Sequence, residues 1–377
     1  MTIGGILFWV MGVGATLIIL GVLVLIHETG HFVTARLTGM RVLEFGIGFP
    51  PRAKILHDDG ETIYTINYLP IGGFVRLEGE ESDSDDPRAF VNSSLRKQLV
   101  VLAAGVTMNL ITAVFLFFLV AWLANPMTRP TIAGFAAIGA PGAETGAATV
   151  DSPAQAAGLQ VGDQIVAVNG RTYSWIDLGA DPRLQFSQYL SSLAGQRVTL
   201  ELMDTHGQTR SLEVQLRVPD VDHAGALGVS LEYNIAYVQG NPIDALGTSV
   251  TSTGKALTLV AAGLGDLVNQ VASHPTQAPQ GIQGPVGIAQ DVGQVLTVNG
   301  PMLLLLLAAV LSANLALINV LPIPPFDGGK MAIMVIKRVF GMRGVSAFEA
   351  ATYLVGFAFL MVFLVWISYF DLLRAGG

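Results

Sequence analysis

Hydrophobic positions gather into four long runs, at residues 3–26, 99–124, 301–321 and 347–370, the last carrying only Glu349 near its start. As helices rising about 1.5 Å per residue, each is long enough to cross a hydrocarbon core about 30 Å thick. Between the first two runs the pattern changes to an alternation over residues 42–77, with Asp59-Gly60 and Gly72-Gly73 as turn signals. Alternation of period two predicts short strands or hairpins beside the first helix, a plain cytoplasmic hairpin being the alternative. The acidic residues 78–86 read as a solvated loop. Residues 131–220 read as a strand-rich soluble module closed by strands at 197–203 and 209–218, around the turn His206-Gly207. In residues 240–271, Ile243, Leu246, Val250, Leu257, Val260, Leu264 and Val268 recur near helical spacing with polar residues between them, which predicts an amphipathic helix lying against the bilayer. Residues 273–287, rich in Pro, Gly and Gln, predict a loop.

These elements predict a polytopic α-helical membrane protein of about four transmembrane helices, with a membrane-associated β-hairpin region and an inserted β-rich module. The division is 1–130, 131–220, 221–300 and 301–377. The first run has no basic leader and no small-residue cleavage site before residue 27, so it is expected to stay in the mature protein. Composition agrees: of 377 residues 51% are hydrophobic and 13% charged, too apolar for an ordinary soluble protein. A net charge of −8 argues against a nucleic-acid partner. With no cysteine, disulfides, thiolate nucleophiles and thiolate metal sites are excluded, which leaves His, Asp and Glu as metal ligands.

Lys and Arg set an orientation. Residues 32–98 hold Arg36, Arg41, Arg52, Lys54, Arg76, Arg88, Arg96 and Lys97, and the segment after the third run holds Lys330, Lys337, Arg338 and Arg343. The longer stretch between the second and third runs is sparse in both. By the positive-inside rule, the two basic segments are cytoplasmic, and the β-rich module and both termini are outside.

The candidate chemistry sits at the end of the first run, where His27-Glu28-Thr29-Gly30-His31 forms an H-E-x-x-H pattern. Histidines four apart share one helix face, so His27 and His31 can present two imidazoles to one zinc ion while Glu28 accepts a proton from bound water. The bland alternative is a helix that ends at the headgroups with three polar residues. In the second run Gly105 and Asn109 lie one turn apart, a small residue for close approach and an amide that needs a partner in lipid. The third run ends in Asn319-Val320-Leu321-Pro322-Ile323-Pro324-Pro325-Phe326-Asp327-Gly328-Gly329. Three prolines cannot continue a helix, and broken backbone at membrane depth belongs inside protein or along a wet cavity. Asp327 is then a natural third zinc ligand, against the alternative of a surface loop. His57, His206, His223 and His274 lie in polar or loop contexts and read as solvated.

The string Ala157-Gly158-Leu159-Gln160-Val161-Gly162-Asp163-Gln164-Ile165-Val166-Ala167-Val168-Asn169-Gly170 resembles the PDZ domain of bacterial proteases. Such domains take extended peptides by strand addition, here expected around Gly158 and Leu159; a β-sandwich insert without a ligand is the alternative. As a whole the chain resembles the site-2 protease family of intramembrane zinc metalloproteases, in the bacterial branch of the regulator-of-sigma-E proteases. That resemblance implies one Zn2+ on His27, His31 and Asp327, Glu28 as catalytic base, and Asn319, Pro322 and Pro324 shaping a substrate groove. It places Asn109 among the substrate contacts, and Gly72 and Gly73 in a membrane-dipping hairpin that holds substrate extended. Gly284-Pro285-Val286-Gly287-Ile288 matches a family string, with no physical role evident in the sequence. Phe326 stands where Leu is usual, Pro325 is an added proline, and Lys330 replaces a frequent His. The implied activity is hydrolysis of peptide bonds in or near transmembrane segments of single-pass membrane proteins, such as anti-sigma factors or signal-peptide remnants, in the bacterial inner membrane. The rival readings are a membrane zinc peptidase of another family and a non-enzymatic scaffold presenting a PDZ domain to a peptide or protein ligand.

Overall fold

The structure is a computed structural model, and it describes residues 3–80, 82–136, 138–139, 149–178, 181–219, 225–273, 281, 283–296, 301–341 and 347–376. His223, His274 and Arg343 lie outside the described residues. In chain order the elements are α1 (Ile3–Leu37), β1 (Val42–Asp58), β2 (Ile63–Leu77), α2 (Leu95–Leu123), β3 (Asn125–Phe135), β4 (Ile138–Gly139), β5 (Thr149–Val150), α3 (Pro153–Ala156), β6 (Gln164–Val168), α4 (Pro182–Ser192), β7 (Arg197–Met203), β8 (Thr209–Gln215), β9 (Val229–Val238), α5 (Pro242–Ser273), α6 (Pro285–Gln294), α7 (Pro301–Val320), α8 (Asp327–Val339) and α9 (Ala347–Gly376). They divide into a helical unit, residues 1–117 with 249–377, and a β-rich unit, residues 118–248.

In the helical unit the four hydrophobic runs become α1, α2, α7 and α9. Among the described residues five helices, rather than the four expected, are long and apolar enough to cross a membrane, because α5 also qualifies. α5 nevertheless keeps the amphipathic pattern read from its sequence: Ile243, Leu246, Val250 and Val268 are exposed while Ser249, Ser252 and Thr253 are buried. Two helices go beyond the expectation. α6 begins inside the stretch expected to be loop, and α8 follows directly on the proline break.

The alternating segment forms one sheet from two bent strands. Residues 44–47 of β1 pair with residues 73–76 of β2 on one side and with residues 63–66 on the other, and Arg52, Lys54, Ile55, His57 and Asp58 extend the sheet along the start of β2. The turn is the one expected at Asp59-Gly60: Asp59 Oδ1 accepts from the amides of Glu61 and Thr62, and Gly60 takes a φ of +83°. Gly72-Gly73 is not a turn but the bend in β2 that brings its final segment, an edge of the sheet, against α1. There Gly72 lies on Val24, and Gly73 lies between Leu25 and the carbonyl of Gly46. The face carrying Phe45 and Tyr64 packs on Phe32 of α1, with ring centroids 4.9 and 5.9 Å away.

The β-rich unit is an antiparallel sheet in the order β8-β7-β6-β3-β9, with its core at Ile132, Ile165, Phe186, Leu200, Leu202 and Val214. β3 and β9 pair over ten positions, from Asn125 with Val238 to Phe135 with Val229. The unit therefore extends beyond the expected 131–220 on both sides, because its edge strand arrives from sequence read as linker. Ser152 caps α3 through the amide of Gln155, and Leu159 is buried in the core at 3% exposure.

Candidate metal centre

α1 and α2 meet antiparallel through glycine. A side chain at Gly30 would strike the carbonyl of Ala104, and one at Gly105 would occupy the space held by the imidazole nitrogens of His27 and His31. α2 thus presents bare backbone to the two rings. It also orients them. His31 Nδ1 is 2.8 Å from the carbonyl of Val101, which can only accept, so this nitrogen carries the proton and Nε2 is left with a free lone pair. Asn109, fully buried, lies 3.2 Å from His27 Nδ1 through its amide nitrogen, and its Oδ1 has no hydrogen-bond partner. The two ends of an amide are sterically alike; half a turn about its last bond sets Oδ1 on Nδ1 and frees Nε2 of His27 as well.

α7 delivers the third group. Its end at Leu321 is closed by the amide of that residue donating to Ile318, and the prolines that follow reverse the chain into α8. The turn is tight enough to need both glycines. A side chain at Gly328 would collide with the carbonyls of Val320 and Leu321, and one at Gly329 with the backbone of Ile323 and Pro324. Asp327 is thereby placed with its Oδ2 3.0 Å from His27 Nε2 and 3.2 Å from His31 Nε2, the two Nε2 atoms being 3.1 Å apart. All three residues are at least nine-tenths buried, and Asp327 Oδ2 receives no hydrogen bond.

Three buried acceptors converging without a proton among them repel one another unless a cation lies between them. Zinc bound at about 2.0–2.1 Å by tetrahedral nitrogen and oxygen ligands separates those ligands by about 3.3 Å, within a few tenths of an ångström of each edge of this triangle. The donor set therefore fits zinc. Among the described residues this is the one group of three or more His and acidic side chains gathered closely enough to hold a metal ion.

Glu28 stands beside the cluster, its Oε2 accepting from the amide of Val75 on the edge segment of β2 at 3.2 Å. A cavity of about 60 Å³ is lined by Glu28, His31, Val75, Glu80, Val101, Leu102, Asp327 and Lys330. Across it the Lys330 ammonium donates to Glu80 Oε1 at 2.7 Å, and that carboxylate raises the lysine above its ordinary pKa.

The structure brings His27, Glu28, His31, Asp327 and Asn109 together, and sets Gly72 and Gly73 on the preceding turn of α1. Asn109 sits on a histidine ring rather than along a groove. Asn319 is part-buried on the last turn of α7, Pro322 is exposed, and the carbonyl of Pro324 lies against Gly356 of α9. Gly158 takes a φ of +86° two residues after α3, and Leu159 is buried in the core of the β-rich unit. Sequence reasoning missed Gly30, Val75 and the partnership of Glu80 with Lys330. Gly30 lies inside the H-E-x-x-H string, where its smallness was the available signal.

A buried cluster of two histidines and an aspartate, with a carboxylate beside it and helices long enough to span around it, defines a membrane metallohydrolase. Comparison with known proteins supplies the family. The profile of Peptidase family M50 matches residues 15–363, and the chain belongs to this family, that of the site-2 proteases. A Clostridium acetobutylicum relative is 32% identical over 93% of this chain and 94% of its own length, and one from Synechocystis is 30% identical over 92% and 91%; both carry the name zinc metalloprotease. An Arabidopsis thaliana relative, named as a chloroplastic membrane metalloprotease, is 29% identical over 86% of this chain and 71% of its own length.

Proposed function

We propose that this chain hydrolyses peptide bonds in or beside the transmembrane segments of membrane-protein substrates, at a zinc ion held by His27, His31 and Asp327. The chain is a zinc metalloprotease acting within a lipid bilayer, and the observation that carries the residue assignment is the convergence of three lone pairs at 3.0–3.2 Å beside Glu28. Zinc in such a site acidifies its water and polarises the scissile carbonyl.

Glu28 is the residue placed to accept a proton from the attacking water and to hand it on to the leaving amine nitrogen. Its hydrogen bond from Val75 fixes the carboxylate at the edge of the sheet. Val101 and Asn109 hold the histidine tautomers that keep both Nε2 atoms available. A substrate helix hides its carbonyls in its own hydrogen bonds and must unwind before attack. The final segment of β2 offers strand pairing to the unwound chain next to Glu28, with Asn319, Pro322 and Pro324 bounding the groove from α7. The apolar bend of the sheet, where Phe49, Tyr68, Leu69 and Ile71 are exposed, supports its dipping into the membrane. The β-rich unit is read as an extracytoplasmic PDZ domain; its sheet has two edge strands, β8 and β9, at which an extended peptide ligand can add. The chain is assigned to the regulator-of-sigma-E branch of the family, in the bacterial inner membrane.

The test is Glu28→Gln against Asp327→Asn, scored for zinc and for cleavage of a membrane-embedded substrate. Glu28→Gln is expected to keep its zinc and lose cleavage by about 100-fold or more. Asp327→Asn, replacing an anionic ligand with a neutral one, is expected to lose zinc. Cleavage above a few per cent in the first, or full zinc in the second, overturns the assignment.

A further inference from the structure

Lys330 lies one turn beyond Asp327 on α8, and its partner Glu80 lies three residues beyond the end of β2. Their contact closes a ring. From Asp327 the path runs along α8 to Lys330, across the 2.7 Å ion pair to Glu80, back along β2 to Val75, across the 3.2 Å hydrogen bond to Glu28, and along α1 to the histidines that meet Asp327. Three segments far apart in sequence are tied together by polar contacts at the margin of a single small cavity.

The ion pair is neither a surface pair nor a sealed one. Lys330 exposes 31% of its side chain and Glu80 17%, and both line the small cavity. Glu80 also lines a second, larger cavity of about 770 Å³ whose wall includes Asp83, Ser93, Ser94 and Lys337. The pair therefore forms part of the partition between a polar outer cavity and the catalytic one.

We infer that Lys330 and Glu80 form a clasp that sets the position of the β2 edge relative to Glu28 and Asp327, and so the register in which an extended substrate is cut. This rests on the reading of His27, Glu28, His31 and Asp327 as the catalytic centre. Lys330 and Glu80 are positioning residues: neither touches the metal-binding atoms. In a strand, a slip of one residue turns every side chain to the opposite face. A displacement of about 1 Å at a reacting group costs up to about 100-fold in rate.

The experiment uses the full chain in detergent or vesicles and a single-pass membrane substrate, with product ends read by mass spectrometry. Glu80→Gln and Lys330→Met are expected to keep zinc, to lower kcat about 10- to 100-fold with little change in KM, and to spread cleavage over neighbouring bonds. Lys330→Arg, which keeps the cation, and the exchanged pair Lys330→Glu with Glu80→Lys are expected to recover a single cleavage position. Zinc content serves as the check on folding; should Lys330→Met lose it, Glu80→Gln carries the test. A single unchanged cleavage position at unchanged kcat in Glu80→Gln overturns the clasp. Failure of the catalytic reading would appear instead as retained cleavage in Glu28→Gln.

Discussion

Gly105 contributes by having no side chain. A methyl group there would land on Nε2 of both His27 and His31, so either the rings turn away or α1 and α2 separate. The expected result for Gly105→Ala is a loss of zinc affinity of at least about tenfold, as when a ligand's supporting residue is removed, and a stability loss of about 1–3 kcal/mol from overpacking. Gly14 is the internal comparison: it lies on the same α1 with nothing within 4 Å of the added carbon, so Gly14→Ala is expected to keep full zinc. Metal analysis of the two purified variants decides the matter. Full zinc in Gly105→Ala would show that the donor atoms do not meet where the structure places them.

Whether an element could be read from the sequence depended on what holds it. α1, α2, α7 and α9 contain long apolar runs whose burial in lipid needs no partner, and they were legible. α6 was not, because its start is satisfied from far away: the amides of Gly284 and Gly287 both donate to Asp371 Oδ2 of α9, at 2.9 Å each. The same contact gives the string Gly284-Pro285-Val286-Gly287 a physical role. Its glycines fit beneath Ile367 and Asp371, and α6 then lies on Gly12 of α1 through Ala289 and Gly293. α8 was hidden because it opens with two glycines, chosen for close approach at the expense of helix propensity. β9 was hidden because its partner β3 lies about a hundred residues earlier. The site followed the same division: His27, Glu28, His31 and Asp327 each stand in a local motif, whereas their hydrogen bonds with Val101, Asn109 and Val75 exist only after packing. Asp371→Ala strands two buried amides at about 1–3 kcal/mol each. A clear fall in the unfolding temperature is expected, and an unchanged one would return the glycine string to having no physical account.

At the scale of the whole chain, the packing around the metal centre decides how many of the five apolar helices cross the bilayer. α1 and α2 are antiparallel, since His31 meets Val101 while His27 meets Asn109. α7 is antiparallel to α2, because Ser312 donates to the carbonyl of Asn109 and the chain then descends to Asp327 beside His31. α7 thus ends on the side where α1 ends, and it must begin on the side where α2 ends. Between Leu123 and Pro301 the chain therefore makes no net crossing. α6, at 10 residues, is too short to offset a crossing by α5. We accordingly assign α5 to one side of the bilayer despite its length, as its buried Ser249, Ser252 and Thr253 and its exposed apolar face suggest. On the same parity we propose that the start of α1 and the end of α9 share one side, since α9 returns from Gly356, beside Pro324, to Asp371, beside α6. The clustering of Lys and Arg in residues 32–98 and after Asp327 is the ground on which we propose that the opposite side is cytoplasmic. The chain has no cysteine, so single cysteines can be introduced without a background. Cysteines in place of Asn241 and Ser273, at the two ends of α5, are expected to react with an impermeant maleimide from the same side as one at Ser191, and one at Ser82 from the other. Labelling of Ser273→Cys together with Ser82→Cys would make α5 a fifth span, and would then require α7 to run opposite to the direction that brings Asp327 to the histidines.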